Sequence, residues 1–284
     1  MSDTRPLVSV VVPAYNRAHR ITNTLDSVIN QDYENLEIIV VNDGSTDIAK
    51  QILSGSKRQY RSINNDGNKG KSFSLNAGMD ASQGKYIWFC DSDDLAEKNF
   101  VSVLVRKIEL DNKFGRVKTF TDSIMSRDEY FRAWASGKIE MISMWNCLLR
   151  KSFLVQNKIR YRIGLVLAQD IDFVTGALAL STHISLTSGT YYIYTQYKEN
   201  ITEFSNRSKL KLHRYVFASR MYIRRFIIRH MQDEQVVKYS LHVICRAILE
   251  MCRVCANDGD RKLFCEAIIL IYFPNAYYKA RLKK

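Results

Sequence analysis

Short runs of β-branched residues alternate with helical stripes in the first third of the chain, and this alternation constrains the fold most. The runs Leu7–Val12, Leu36–Val41 and Lys85–Cys90 predict buried strands, because each is apolar and is closed by turn or polar residues. Residues 18–30 and 70–81 carry the pattern of helices. Strands that alternate with helices form right-handed units around a parallel sheet. We therefore predict an α/β fold with a mainly parallel sheet flanked by helices.

Acidic residues follow two of these predicted strands at the point where each strand ends. Asp43 comes directly after the second strand, and Asp91-Ser92-Asp93-Asp94 follows the last one. Ligands of parallel sheets bind beyond the carboxyl ends of the strands. We expect one pocket to contain both acidic segments.

The spacing of Asp91 and Asp93 suits a divalent cation. Carboxylates at positions i and i+2 of a turn can reach one ion, and hard oxygen ligands favour Mn²⁺ or Mg²⁺. Such ions keep coordination sites open for the phosphates of a substrate. The alternative is that the acidic turn caps the start of a helix, a common role of Asp.

The chain is basic, with a net charge of +13, and the excess is concentrated toward its end. Residues 209–230 contain seven Lys or Arg and no acidic residue. Helical stripes over 208–231, 235–256 and 260–272 predict a helical, basic C-terminal region, 206–284, after a first domain at 1–205. The first of these helices is either a membrane-surface helix or an amphipathic helix with a solvated face.

Several classes of protein are disfavoured by what the sequence lacks. No apolar run is long enough for a transmembrane helix, and the first residues lack the pattern of a secretory signal. We therefore expect a cytoplasmic protein, with peripheral contact to an anionic membrane at the inner face. No G-x-G-x-x-G follows the first strand, and the first half shows no aromatic–basic interleaving. Redox use of a dinucleotide and a nucleic-acid partner are therefore not expected.

Four ordered motifs resemble glycosyltransferase family 2. They are Val12-Pro13-Ala14-Tyr15-Asn16-Arg17, then Glu37 to Asp47 with Asn42-Asp43-Gly44-Ser45, then Asn68-Lys69-Gly70 with Leu75-Asn76-Ala77-Gly78, then Asp91-Ser92-Asp93-Asp94. The resemblance is close over residues 7–100, looser to about 205 and essentially absent after that. It implies the GT-A fold, which is Rossmann-like.

The resemblance also implies roles for these residues toward a nucleotide-diphosphate sugar. Pro13, Ala14 and Tyr15 match the loop that lines the nucleotide base. Asp43 matches the carboxylate that accepts a hydrogen bond from the base. Asp91 and Ser92 match the ribose side of the nucleotide, and Asp93, with Asp91, would hold the metal on the diphosphate.

The catalytic base of the family lies in a Glu-Asp pair shortly before a Phe. The match here is Gln169-Asp170-Ile171-Asp172-Phe173, about 75 residues beyond Asp94, with Gln169 in place of the usual Glu. Asp170 falls on the position of the base. Asp172 is its rival, and a helix-capping Asp is the alternative to both.

Three further assignments are less specific. Trp145 resembles a residue that precedes the acceptor pocket, where it would stack on a sugar face with Gln169 nearby, and it could equally belong to the core. The segment Tyr191–Tyr194 resembles the family's strand after the base. Lys69 or Lys71 would add positive charge near the diphosphate, and the sequence does not choose between them.

Together the resemblance and the residues imply an inverting, metal-dependent hexosyltransferase. It would move a hexose or N-acetylhexosamine, from a UDP-sugar, to a lipid-linked or surface glycan in the biosynthesis of lipopolysaccharide, O-antigen or capsule. GDP-mannose or dTDP-rhamnose is the alternative donor. A catalytically inactive module that binds nucleotide sugars is the alternative class.

Overall fold

The computed structural model describes residues 5–47, 60–114, 123–135, 138–139, 142–164, 169–187, 191–195 and 234. The strands are β1 Val8–Ala14, β2 Leu36–Asn42, β3 Arg61–Asn64, β4 Tyr86–Phe89, β5 Leu95–Ala96, β6 Ser123–Ser126, β7 Leu149–Arg150, β8 His183–Leu186 and β9 Tyr192–Ile193. The helices are α1 Ile21–Ile29, α2 Lys71–Ala81, α3 Phe100–Phe114, α4 Arg127–Ala135, α5 Lys151–Gln156 and α6 Gln169–Leu180, with a 3-10 turn at Met144–Asn146.

The central sheet has five strands in the order β3-β2-β1-β4-β7. The first three pairings are parallel, and the short β7 adds to β4 in antiparallel direction. Val8 of β1 lies opposite both Leu36 of β2 and Tyr86 of β4, so these three strands start level with one another. They also end at one edge, which is where the acidic segments follow.

The side chains of β1 alternate between two faces, as the pleat of a strand requires. Val10 and Val12 pack on the face covered by α1 and α3, while Val11 packs on the face covered by α2 and α6. Each face therefore has its own apolar cluster. The result is a helix–sheet–helix sandwich in which the central strands are buried on both sides.

The face that carries α2 and α6 brings distant parts of the chain together. The Asn76 side chain of α2 donates to the Tyr161 carbonyl at 2.8 Å and accepts the Tyr161 N–H at 2.9 Å. The Tyr161 ring stacks on Phe173 of α6 at 4.0 Å, and both rings meet Phe89 of β4 edge-on. These contacts hold α6 against β4 beside α2.

The prediction of a mainly parallel sheet flanked by helices is confirmed. The strands predicted over the three apolar runs are present as β1, β2 and β4, and β5, β7 and β9 add pairings of two residues each. The chain divides into compact units Met1–Gln196 and Tyr197–Lys284. The predicted boundary near residue 205 and the helical region 206–284 lie outside the described residues and stay predictions.

Candidate active site

The acidic turn Asp91–Asp94 follows β4 directly and leads into β5. The Asp94 N–H donates to the Asp91 carbonyl at 3.3 Å, which closes the turn. The next helix, α3, begins only at Phe100. The turn therefore does not cap a helix, and its carboxylates are available for other partners.

Lys71 joins the acidic turn to the predicted base. Its ammonium lies 2.8 and 3.0 Å from the two carboxylate oxygens of Asp91, and 3.6 Å from Oδ2 of Asp170. Lys71 is the first residue of α2, and Asp170 lies in the first turn of α6. Two residues far apart in the sequence thus share one cation. Of the two lysines left open by the sequence, the side chain of Lys71 is the one that reaches the acidic turn.

Burial and charge act against each other in this group. Burial raises the pKa of Asp170, and the Lys71 charge opposes the rise without cancelling it. Burial alone would lower the pKa of Lys71, but the charges of Asp170 and Asp91 outweigh it, so this pKa lies well above its usual value. Oδ1 of Asp170 is buried and accepts no hydrogen bond from any described residue. Within the described chain, Oδ1 therefore lacks a protein donor, while the Asp170 side chain as a whole stays 30% exposed at the candidate site.

Two arginines face Asp93, the second predicted metal ligand of the acidic turn. Nε of Arg17 lies 3.5 Å from Oδ2 of Asp93, and Nη1 of Arg20 lies 3.9 Å from the same oxygen. Both arginines come from the segment between β1 and α1. Together with Lys71 they place three cations around two carboxylates. Such a cluster attracts a polyanion such as a diphosphate.

Asp43 is buried and organises the loop before α2. Its carboxylate accepts the Asn65 side-chain amide at 2.7 Å, the Lys69 N–H at 2.9 Å and the Gly70 N–H at 2.8 Å. A carboxylate has about four acceptor positions, so one is left. Because these bonds hold the backbone of the two residues before Lys71, Asp43 also positions the start of α2, from which the Lys71 side chain extends.

The loops after β1 and β2 are tied to each other. The Asp43 N–H donates to the Ala14 carbonyl at 2.8 Å, and the Asn16 side chain accepts the Thr46 N–H at 2.8 Å. Gly44 has a φ of +71°, and a Cβ there would lie 2.4 Å from the Gly67 carbonyl carbon. Only glycine permits this approach.

The predicted base-lining residues lie at this junction. Pro13 and Ala14 are the buried last residues of β1, and they pair in register with Val41 and Asn42. Tyr15 follows with 41% of its side chain exposed. Ser92 is buried within the acidic turn. The residues predicted for the nucleotide thus lie along the carboxyl edge of β1, β2 and β4.

Asp172 has a different environment from Asp170, although only two residues separate them. Its side chain is 5% exposed and forms an ion pair with Arg162. Burial raises the pKa of Asp172, and Arg162 opposes the rise. Gln169 is buried too, and its Oε1 accepts no hydrogen bond from any described residue. The structure therefore brings Asp170, and not Asp172, to the lysine shared with Asp91.

Trp145 packs against the core and also belongs to an aromatic group. Its ring stacks on Tyr192 at 4.6 Å and on Tyr194 at 5.9 Å, with interplanar angles of 25° and 20°. Its carbonyl accepts the indole N–H of Trp88 at 2.9 Å. Tyr192 is buried, whereas Tyr194 is 48% exposed. We name Trp145, Tyr192 and Tyr194 the aromatic stack.

Asp94 connects the aromatic stack to the acidic turn, a role that the sequence did not suggest. Its carboxylate is 1% exposed and accepts the Tyr192 hydroxyl at 2.8 Å and the Thr195 N–H at 2.9 Å. The Tyr192 hydroxyl in turn accepts the Asp91 N–H at 3.3 Å. Burial raises the pKa of Asp94 to about 6. The third carboxylate of the turn is therefore structural.

The donor set of the turn fits Mn²⁺ or Mg²⁺. Magnesium-like ions in nucleotide sites are held by one or two carboxylates together with substrate phosphates, and Asp91 and Asp93 supply two. No group of three or more His, Cys, Asp or Glu side chains able to hold a metal occurs within the described part of the chain. The fit is thus to an ion shared with a substrate, and not to a site made of protein ligands alone.

The chain matches a known protein family over most of its described residues. The family model described as glycosyl transferase family 2 matches residues 9–180. This match covers more than half of the chain, so the chain belongs to glycosyl transferase family 2. The family and the GT-A fold predicted from the four motifs are confirmed.

Individual relatives agree with this placement. The chain is 38% identical over 126 residues to an uncharacterized glycosyltransferase of Haemophilus influenzae, a match that covers 43% of this chain and 39% of that protein. In the next two curated relatives the match spans 18% and 17% of their length. This chain therefore matches well under half of each of these relatives.

Two solved structures share the fold. The structure of S. aureus TarS 1-349 in complex with UDP-GlcNAc has a TM-score of 0.71 at 21% identity, covering 92% of this chain and 79% of that one. A mannosyltransferase of Pyrobaculum calidifontis, in complex with GDP-Man and Mn²⁺, has a TM-score of 0.56 at 18% identity, covering 98% and 83%. At these identities the likeness is one of fold. Among the described residues, no helix combines the length and apolar character of a membrane span.

Proposed function

We propose that this chain transfers a hexose or N-acetylhexosamine from a nucleotide-diphosphate sugar to a hydroxyl group of a saccharide acceptor, with inversion. One observation carries the proposal: Lys71 contacts Asp91 of the acidic turn and Asp170 of α6 at the same time. This contact puts a candidate base next to a cluster of cations suited to a diphosphate. Family membership supports the same reaction class.

The nucleotide end of the donor would lie along the carboxyl edge of the sheet. Pro13, Ala14 and Tyr15 would line the base, and Asp43 would accept a base N–H with its remaining acceptor position. Asp91 and Ser92 would lie on the ribose side. Because Asp43 also holds the loop before α2, base recognition and the position of Lys71 would be coupled.

The diphosphate would lie among the cations of the turn. Lys71, Arg17 and Arg20 lie within 4 Å of Asp91 or Asp93, so a diphosphate that enters would compete with these carboxylates for the same cations. A Mn²⁺ or Mg²⁺ ion held by Asp91 and Asp93 would add neutralising charge for the leaving diphosphate when bound. At the diphosphate, the protein side chains would act by electrostatic stabilisation.

Asp170 would act as the general base. Its partly exposed carboxylate would take the proton of the acceptor hydroxyl while the acceptor oxygen forms a bond to C1 of the donor sugar. The bond from C1 to the diphosphate would break, and its electron pair would leave with the diphosphate. Attack opposite the leaving group inverts C1, so an α-linked donor gives a β-linkage.

The donor we propose is a UDP-sugar, with GDP-mannose or dTDP-rhamnose as the alternatives. The first choice is supported by the UDP-GlcNAc complex of the TarS structure, and the mannosyltransferase with GDP-Man keeps the alternative open. The acceptor would be a lipid-linked or surface glycan. The basic charge of region 206–284 favours peripheral contact with an anionic membrane on the cytoplasmic side.

The test is a donor panel with the purified chain. Hydrolysis of UDP-Glc, UDP-Gal, UDP-GlcNAc, UDP-GalNAc, GDP-Man and dTDP-Rha is measured with Mn²⁺, Mg²⁺ or EDTA, and nucleotide binding is measured by calorimetry. We expect one donor to be turned over in a metal-dependent way. Asp93→Ala should lose the metal-dependent part of donor turnover. Lys71→Met should weaken donor binding about tenfold, as loss of one charge-assisted contact implies.

The matched control is Asp80→Ala. Asp80 lies near the end of α2, away from the acidic turn, and its exposed carboxylate pairs with Arg160. This substitution should leave donor turnover unchanged. If the wild-type chain binds a donor but never turns it over under any metal condition, the inactive binding module becomes the better account. If it binds none of the six donors, both accounts fail.

A further inference from the structure

Tyr194 is an exposed aromatic residue whose position is unusually well defined. Its ring lies nearly parallel to that of Trp145, which is itself stacked on the buried Tyr192. The backbone beside it is fixed on both sides, because Ile193 pairs with Leu95 and the Thr195 N–H donates to Asp94. An exposed side chain on a surface loop is ordinarily free to turn, whereas this one extends an ordered stack into solvent.

The same residue lies beside the acidic turn, because the N–H of the next residue, Thr195, donates to Asp94 at 2.9 Å. Partial burial raises the pKa of the Tyr194 phenol, and the negative charges of Asp94, Asp93 and Asp91 raise it further, while Lys71 opposes them. Tyr194 therefore lies within electrostatic reach of the residues that would hold the diphosphate. The exposed end of the aromatic stack borders the candidate active site.

We propose that Tyr194, supported from behind by Trp145, presents the ring face on which a pyranose ring of the acceptor stacks. The ligand class is a saccharide, because one face of a pyranose ring presents C–H groups that pack well on the electron-rich face of an aromatic ring. This inference rests on the proposed function, and it adds to it the residue that binds the acceptor sugar.

The acceptor is favoured over the donor sugar by what surrounds the stack. Trp145 lies in the 3-10 turn Met144–Asn146, which packs against α6, the helix that carries Asp170. The base must approach the acceptor hydroxyl, so a surface contiguous with its helix is on the acceptor side. The cations Lys71, Arg17 and Arg20 mark the diphosphate side instead.

Asp94 would position this surface without touching the sugar. It holds Tyr192 through its hydroxyl and Thr195 through its backbone N–H, and these residues flank Tyr194 on either side. Since Asp94 belongs to the acidic turn, the donor-binding turn and the acceptor surface would move as one piece. Alignment of both substrates is worth a large share of the rate.

The test compares Tyr194→Ala with Tyr194→Phe, which keeps the ring and removes only the hydroxyl. The control is Ile193→Ala, because Ile193 is the adjacent residue of β9, is similarly exposed at 41% and points to the other face of the strand. The acceptor probes are methyl β-D-glucopyranoside, methyl β-D-galactopyranoside and methyl N-acetyl-β-D-glucosaminide. Their binding is read by saturation-transfer difference NMR without donor, and by transfer kinetics with the donor found in the panel.

We expect Tyr194→Ala to raise the acceptor KM about tenfold and to abolish the NMR effect on the ring C–H protons, with the KM of donor hydrolysis unchanged. Tyr194→Phe and Ile193→Ala should behave like the wild type. A rise in the donor KM in Tyr194→Ala would place the donor sugar on this surface and overturn the proposal, as would an unchanged acceptor KM. The NMR arm needs no catalysis, so failure of the proposed function and failure of this inference give different results.

Discussion

The two edges of the central sheet hold acidic side chains in different ways. At the amino end, Glu37 accepts the Ser9 hydroxyl, the Gln83 N–H and the Gly84 N–H. Glu109 of α3 accepts Lys85 and the Tyr86 hydroxyl beside the start of β4. These donors belong to strands, or to residues next to strands, so the partners of each carboxylate are fixed.

At the carboxyl end the carboxylates share their partners. Asp91 and Asp170 both contact Lys71, and Asp93 faces two arginines at 3.5 and 3.9 Å. One oxygen of Asp170 accepts no hydrogen bond from the part of the chain that the structure describes. Long cationic side chains can exchange one anion for another, whereas the backbone N–H groups of Gln83 and Gly84 that hold Glu37 cannot. The comparison separates Asp91, Asp93 and Asp170, whose partners are long cationic side chains at the site, from Glu37, whose partners belong to the scaffold.

The largest effect is expected from Asp170→Asn at the carboxyl end. Loss of a general base lowers the transfer rate by roughly 10²- to 10⁴-fold. The melting temperature should stay the same or rise, because burial already disfavours the ionised form of Asp170 in the folded state. Initial rates and thermal unfolding of the same preparation would measure both.

Asp172→Asn is the matched control in the same helix turn. Burial raises the pKa of Asp172 as it does that of Asp170, and the Arg162 side chain is 39% exposed, so we expect the melting temperature to change little and transfer to stay within a few-fold of the wild type. If Asp172→Asn lost the reaction and Asp170→Asn kept it, the assignment of the base would be reversed.

The fold was predictable because its main strands are long and buried on both faces. The runs that became β1, β2 and β4 carry their own apolar signal. The two-residue strands β5 and β7 were not predictable, since a pattern of two residues has no period and their pairing depends on distant partners. The strand β9 was expected only from the resemblance of Tyr191–Tyr194 to the family's strand after the base. Parts of the chain predicted beyond residue 205 lie outside the described residues.

The acidic members of the site were also predictable, because they follow strands at one edge of a parallel sheet. Their partners were not. Lys69 and Lys71 are near neighbours in sequence, and only the fold shows which of them reaches the acidic turn. Asp43 binds the backbone N–H of Lys69, and Lys71 is the first residue of α2. No role of its own was predicted for Asp94, and its partner, Tyr192, is 98 residues away in sequence.

A smaller effect, on stability alone, is expected from Glu37→Ala at the amino end. The Gln83 and Gly84 N–H groups would lose their acceptor, although the Ser9 hydroxyl still accepts the Gly84 N–H at 2.8 Å. We expect the free energy of unfolding to fall by about 1–3 kcal/mol. Denaturant unfolding measures this loss, and Glu37→Gln, which keeps a carbonyl acceptor, should lose less. Activity per folded molecule should not change, and a specific loss of transfer would contradict the division between scaffold and site.

The last effect is a difference in how stability responds to pH at Asp94 and at Glu109, and it is absent at the acid end of the range for Asp94. Burial raises the pKa of Asp94 from 3.8 to about 6, with Asp91 and Asp93 adding to the rise and the Tyr192 hydroxyl and Thr195 N–H opposing it. The folded state then binds the proton more tightly than the unfolded state, so stability falls as pH rises from about 4 to 6. Burial alone would raise the pKa of Glu109, but its bonds from Lys85 and Tyr86 outweigh burial and lower it. Its contribution to stability is present at neutral pH and is lost on acidification.

As pH rises, the stability of Asp94→Asn and that of Glu109→Gln, each relative to the wild type, should therefore shift in opposite directions. Between pH 4 and 6, in EDTA, Asp94→Asn should gain stability against the wild type as pH rises, by about 3 kcal/mol at most. Glu109→Gln should lose stability against the wild type over the rise through its unfolded pKa. Denaturant unfolding at each pH measures both differences. Two curves that ran parallel would mean that the pKa values of Asp94 and Glu109 do not shift in opposite directions, and burial would not dominate at Asp94.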